Sequence, residues 1–281
     1  MELKILKTKL KTGKQNRRLA AYKQKKMQSQ TYFSMGLHCH GWLDCSIDPT
    51  KVSSILLMQE QMIETRSWKK SRGLEVESEL CRLCSQQKET VQHILSGCKV
   101  IAGTEYLRRH NNALKVFAVE WAKVVGLLSD KVFWYKVEWD RGKVLESPQY
   151  KLCWDFEFSM RKTTSARRPD LVLEDKEGKT IFLVDMACPV EKNIEEKISE
   201  KLRKYQQVAY EIRERRQGYR VWIVPLVIGC LGGGMEKVMQ NAVKVFPEKH
   251  SVQRMCWEMQ KVVLSESESI LRKVLSGVIH D

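Results

Sequence analysis

The sequence predicts an α/β domain with a mixed central sheet flanked by helices, preceded by a small Cys/His module and a basic helical arm. Three observations carry that expectation. "DLVLED" and "TIFLVDMA" are short apolar runs joined by "KEG", a strong hairpin turn. "YRVWIVPLVIGCL" is nearly continuous in apolar residues, the pattern of a strand buried on both faces. Stretches of helical period precede, separate and follow these runs, so helices should cover the sheet.

Taken in order, the first helical rhythm runs from Lys51 to about Arg72, with apolar residues at 52, 55, 56, 58, 62 and 63. "RRHNNALKVFAVEWAKVVGLL" follows a Cys/His segment and collects Leu114, Phe117, Ala118, Trp121, Val124 and Val125 on one side. "KVFWYKVEW" and "KLCWDFEFSM" are rich in aromatics and read as strands. After the hairpin comes a long charged helix from about Ile194 to Arg216, closed by Gly218. The buried strand and two further helices, at about 234–247 and 252–276, complete an α-β-β-β-β-α-β-α-α order. By composition, residues 1–75 form the basic arm and linker helix, 76–108 the Cys/His module, and 109–281 the α/β domain.

Charge narrows the class of partner. Forty-nine Lys and Arg against 34 Asp and Glu leave a net +15, a surplus suited to a polyanion whose counterions are released on contact. Part of it lies in the N-terminal "KTKLKTGKQNRRLAAYKQKK", which lacks the apolar core of a signal peptide. No run of eighteen apolar residues suggests a membrane span. Nine cysteines, mostly scattered singly, argue for a reducing, intracellular compartment rather than a disulfide framework.

The most specific local pattern is "CRLCSQQKETVQHILSGC", which spaces Cys81, Cys84, His93 and Cys98 as C-x2-C-x8-H-x4-C. Two thiolates from a tight turn and a His/Cys pair at a helix end complete a tetrahedron that suits Zn²⁺ and leaves no open position, so the expected site is structural. The nearby "HCHGWLDC" (His38, Cys39, His40, Cys45) matches no familiar metal spacing and reads as an exposed loop.

Asp170 and Asp185 pose a different question. In an antiparallel hairpin turned by "DKEG", the first lies near the start of one strand and the second near the end of the other, so both carboxylates come to one sheet edge. There they repel unless a cation lies between them, and Mg²⁺ or Mn²⁺ suits such a sparse oxygen site completed by water and phosphate. A charge ending the apolar run "TIFLV" is costly unless used. Lys197, Lys201 and Lys204 share one face of the following helix and offer a cation beside the attacking water. The Gly-rich "GCLGGGMEK" lacks the G-x4-G-K-[ST] phosphate loop and reads as a strand-to-helix turn. Glu120 is a lesser candidate to face the metal from the first helix of the α/β domain.

"ARRPD" with the two strands resembles the PD-(D/E)xK nuclease motif, although Ala187 stands where its lysine belongs. The ordered set, a CCHC knuckle, "RRHN", "RPD", an acidic residue and "RKY", resembles the C-terminal region of site-specific non-LTR retrotransposon proteins with a restriction-like endonuclease, over about residues 50–281. The resemblance implies a restriction-endonuclease-like sheet and divalent-metal-dependent nicking of DNA in the nucleus. It also implies zinc on Cys81, Cys84, His93 and Cys98, and a divalent metal on Asp170 and Asp185. Lys201 or Lys204 would be the displaced catalytic lysine. Arg109, His110 and Asn111 would lie along the DNA backbone, while the basic arm, Arg167 and Arg168 are expected to bind phosphate without reading sequence. Element RNA is a further expected partner. Such proteins carry a reverse transcriptase with paired aspartates, and no Asp-Asp pair occurs here, so the chain reads as a tail of one. The competing class is a zinc-knuckle nucleic-acid-binding module without catalysis.

Overall fold

A computed structural model describes residues 41–159, 167–247 and 251–279. The basic arm and His38, Cys39 and His40 lie outside the described residues. The α/β expectation holds: a five-stranded sheet has the order β1-β2-β3-β4-β5, with β1 Val144–Glu146, β2 Tyr150–Trp154, β3 Leu171–Asp175, β4 Thr180–Ala187 and β5 Arg220–Val227. The first four strands form an antiparallel meander, and β5 joins β4 in parallel. Parallel pairing requires a crossover, supplied by helices α4 (Ile194–Lys204) and α5 (Gln206–Arg215).

Period-two alternation distributes the strands between two cores. Leu171, Leu173, Phe182, Val184 and Met186 face α3 (Leu107–Val124), α6 (Met235–Val243) and α7 (Gln253–Leu275). Val172, Ile181 and Leu183 face the opposite way, against Tyr205, Val208, Ala209 and Ile212 of the crossover. Each such aliphatic side chain contributes about 1.5–3 kcal/mol through burial. Both faces of β4 are covered, which is why its sequence is apolar without alternation.

A third cluster joins the Cys/His module to this domain. Trp42, Ile55, Met58, Ile94, Leu95 and Ile101 pack with Leu264, Ile270, Leu271 and Val274, the C-terminal half of α7. Among the described residues, no helix is long and apolar enough to cross a membrane.

Several expected elements differ in detail. The helix expected over 51–72 is two, α1 Pro49–Gln59 and α2 Arg66–Ser71, broken where Gln61 takes a left-handed φ of 55°. "KVFWYKVEW" is not a strand but a loop around a short 3-10 turn, Trp134–Lys136. Trp134 and Trp139 turn into the core from that loop, so aromatic content marked packing rather than pairing. "KLCWDFEFSM" leaves the sheet after Trp154, where Asp155 has φ 51°. The single helix expected over 194–216 breaks at Tyr205, which separates α4 from α5. "HCHGWLDC" is not an exposed loop in its described part, since Trp42 is completely buried and its backbone N–H donates to Gln260 of α7 at 2.9 Å. "GCLGGGMEK" is a turn as expected, closed by hydrogen bonds from Gly229 to Gly233 and from Gly232 to Gly229. Gly232 and Gly234 there adopt φ of 90° and 83°, open to glycine at little cost.

Candidate functional site

Two sites emerge, one built by the Cys/His module and one at an end of the sheet. In the module, the ligand atoms of Cys81, Cys84, His93 and Cys98 all lie within 4.8 Å of one another. The chain reaches this geometry through a tight turn in which Ser85 N–H donates to Cys81 O at 2.8 Å and Cys81 N–H donates to Gln87 O at 2.7 Å. His93 opens a π-helical turn, His93–Gly97, and Cys98 follows it. His93 Nδ1 lies 3.1 Å from Gln87 Oε1, and Nε2 lies 3.3 Å from Cys84 Sγ. The amide oxygen can only accept, so Nδ1 carries the proton and the Nε2 lone pair faces the thiols, the tautomer a metal requires.

Electrostatics agree with a cation at this point. Burial and the two neighbouring cysteines push the Cys98 thiol up to about 12. Burial also opposes ionisation of Cys84, but the backbone N–H groups of Gln86 and Gln87, together with the Cys81 and Cys98 thiols, outweigh it and hold that thiol below its usual range. A shared cation removes the conflict among ligands crowded into one place. Beside the ligands, Glu89 is fully buried, and Arg82 donates to both its oxygens at 2.9 Å. Arg82 also donates to Leu275 O at 2.9 Å, tying the module to the end of α7.

The second site occupies the end of β3 and β4. Leu171 pairs with Val184, which brings the preceding Asp170 opposite Asp185. Asp185 lies on the face of β4 that carries Leu183, towards the crossover helices, and is 2% exposed. Lys201 Nζ ion-pairs with its Oδ2. The Tyr205 hydroxyl lies 2.7 Å from Oδ1 and 2.9 Å from the Arg168 carbonyl oxygen. The helix break therefore sets a buried tyrosine beneath the carboxylate. Lys204 Nζ is more distant, at 3.8 Å from Oδ1, and lies over the Tyr205 ring at 4.6 Å. Lys197 pairs instead with Glu200 at 2.5 Å.

Asp170 is held from the other side of the sheet. Its Oδ2 accepts from Met186 N–H at 2.6 Å and lies 3.0 Å from His110 Nε2. His110 Nδ1 lies 2.9 Å from Asn111 Oδ1, so the His-Asn pair on α3 orients Asp170. The two aspartates are driven in opposite directions. Burial pushes Asp170 up, yet His110, the Met186 amide and Lys201 together bring it below the usual carboxylate range. Burial and then the charge of Asp170 raise Asp185, with Lys201 and Lys204 opposing. For His110, burial favours the neutral ring, but Asp170 more than compensates and raises its pKa.

A cleft of about 380 Å³ opens in front of Asp170, lined by Leu107, His110, Asn111, Trp154, Asp155 and Arg168 among others. Arg168 ion-pairs with Asp155 in that wall, and the half-exposed Arg167 pairs with Glu157 at 2.6 Å.

Arg109 requires a correction. It is 1% exposed, and its guanidinium donates to Ser267 Oγ at 3.0 Å, Leu95 O at 2.8 Å and Cys188 O at 3.3 Å. With those donors spent inside the protein, it joins the module, α7 and the end of β4 rather than lining DNA. Glu120 is ten residues beyond His110 on α3, about 15 Å along the axis, and does not enter the site. Sequence reading assigned no role to Gln87, Tyr205 or Asp155. Tyr205 alone left a signal, as the final letter of "RKY", while Gln87 and Asp155 act through turns that no spacing reveals.

Residues 20–104 match the family described as zinc-binding in reverse transcriptase, a span that includes all four ligands. No curated protein matches the chain at a significant level. The segment holding Cys81, Cys84, His93 and Cys98 is therefore a zinc-binding domain of the kind associated with reverse transcriptases.

Proposed function

We propose that the chain is a divalent-metal-dependent DNA endonuclease that nicks one strand at a time, the cutting end of a retrotransposon-type reverse transcriptase protein, with a restriction-like sheet as its catalytic core. One observation carries the reading: Asp170 and Asp185 meet on adjacent strands beside an open cleft, with Lys201 on the second and His110 on the first. Zinc binding by the preceding domain belongs to folding, because its four protein ligands leave no position for a substrate.

Asp170 and Asp185 would hold Mg²⁺ or Mn²⁺. Their chemistry fits: both donors are hard oxygens, and burial together with the charge of Asp170 leaves Asp185 with a raised pKa that a cation would relieve. When bound, such an ion supplies charge to the scissile phosphate and lowers the pKa of water. The chain does the rest. Lys201 exchanges Asp185 for the incoming phosphate or the attacking water, and Tyr205 holds Asp185 in place while it does so. His110 and the Met186 amide fix the direction of Asp170. Arg168 and Arg167, released from Asp155 and Glu157, take up flanking phosphates, and ion pairs this exposed cost little to exchange.

The test is a plasmid nicking assay with Mg²⁺ or Mn²⁺, comparing wild type with Asp170→Ala and Asp185→Ala while DNA binding is measured in parallel. Loss of nicking in both variants with binding retained is the expected result. Wild type that binds DNA and never nicks it with either metal would reduce the chain to a zinc-domain binding module.

A further inference from the structure

The loop between α3 and β1 is used by neither site, yet it is built in an unusual way. A 3-10 turn, closed by the Lys136 N–H to Phe133 O bond at 2.9 Å, alternates its aromatic side chains inward and outward. Trp134 and Trp139 pack against the main core. Phe133 and Tyr135 point the other way and are 52% and 61% exposed. Their rings stack on each other, with centroids 5.5 Å apart and planes 19° from parallel. Trp134 meets Tyr135 edge-on at 5.5 Å. Two large aromatic rings are thus left in water side by side, stacked on each other and met edge-on by the partly buried Trp134, and offer a flat contact surface.

The surroundings indicate what covers it. Lys136 Nζ lies 5.6 Å from the Phe133 ring centroid, and the exposed Lys131 precedes the pair by two residues. Flat π faces beside ammonium groups, on a chain of net charge +15, complement a stacked base and its phosphate. A duplex keeps its base faces against one another, so the complementary ligand is an unpaired nucleotide. The C-terminal end of the loop borders the cleft. Trp139 lies 5.0 Å from Trp154, a cleft wall, and Gly142 N–H donates to Trp154 O at 3.0 Å while Trp154 N–H donates to Lys143 O at 2.8 Å.

We propose that Phe133 and Tyr135 form a stacking platform for unpaired DNA bases, on the loop whose far end borders the cleft, and so hold a single-stranded segment of the DNA that the chain binds. The choice of DNA rests on the endonuclease reading. The platform itself is measured without catalysis.

The experiment is fluorescence anisotropy with the full chain loaded with zinc, in buffer without Mg²⁺ or Mn²⁺. The probes are a labelled 20-nucleotide single-stranded DNA, its duplex and an RNA of the same sequence. Phe133→Ala/Tyr135→Ala is expected to weaken single-stranded DNA binding roughly tenfold or more, with the duplex nearly unaffected. Phe133→Leu/Tyr135→Leu, which keeps apolar bulk and loses the π faces, should weaken it similarly, and Phe133→Trp/Tyr135→Trp should restore it. Equal losses on single strand and duplex, or no loss on either, overturn the platform. Tighter binding to the RNA than to the DNA overturns the choice of ligand. Because nicking is scored separately with Asp170→Ala, failure of the platform and failure of the nuclease are distinguishable.

Discussion

At the scale of single residues, what a buried cation faces separates a role in the fold from the role in chemistry proposed above. Arg109 and Lys201 are both cations beside the sheet end, and they differ in what they face. Arg109 directs its two terminal nitrogens at two main-chain carbonyls and a serine hydroxyl, almost wholly out of solvent. Arg109→Met is expected to lower stability by about 1–3 kcal/mol through orphaned buried acceptors, read by urea denaturation, with DNA affinity per folded molecule unchanged. Lys201 instead faces a carboxylate whose ionisation burial opposes. Lys201→Met should reduce nicking by about a hundredfold or more, the loss typical of removing one preorganised donor, while Lys204→Met loses less because its ammonium is the more distant and more exposed. Comparable losses in the two variants would show that position on the helix face, not contact with Asp185, sets the role.

At the scale of elements, zinc, α7 and the sheet form one mechanical chain. The C-terminal half of α7 packs on the zinc domain and its N-terminal half on the sheet, and Arg82 and Arg109 both reach across the junction. Removing zinc with a chelator, or one ligand with Cys84→Ser, should therefore broaden and lower thermal unfolding of the whole chain, not of the zinc domain alone. A scanning-calorimetry trace in which the sheet domain keeps its unfolding temperature would overturn that coupling. The same elements explain what the sequence made legible. The hairpin bearing Asp170 and Asp185 and the buried strand β5 follow from local pattern, because turn chemistry and two-sided burial leave direct marks. The C-x2-C-x8-H-x4-C spacing was as clear, since the turn around Ser85 fixes where the ligands point. Tyr205 was not legible as a break: nothing in "EKLRKYQQVAY" interrupts helical propensity, and tertiary bonds to Asp185 and Arg168 O account for its place. The "KVFWYKVEW" loop failed for the opposite reason, as strand propensity measures fit to a half-buried surface and these aromatics found one without a partner strand.

At the scale of the whole molecule, a net charge of +15 makes a claim that the local sites do not. If the basic residues contact phosphate, affinity for duplex DNA must fall linearly with the logarithm of salt concentration, because each contact releases condensed counterions. About six such contacts correspond to a loss on the order of 10³-fold between 50 and 200 mM salt. Arg167→Ala/Arg168→Ala should reduce that slope by about one for each arginine that truly binds phosphate. A smaller change is informative too, because Glu157 and Asp155 already neutralise these side chains, and an arginine that keeps its carboxylate partner displaces no counterion from DNA. Deleting residues 1–30, which carry a dense run of lysines, should reduce the slope further without touching the Asp170→Ala phenotype. A slope that survives both changes would move the phosphate-binding surface to the exposed basic face of α4 and α5, where Arg203, Lys204 and Arg213 lie on the same side of the sheet as Lys201.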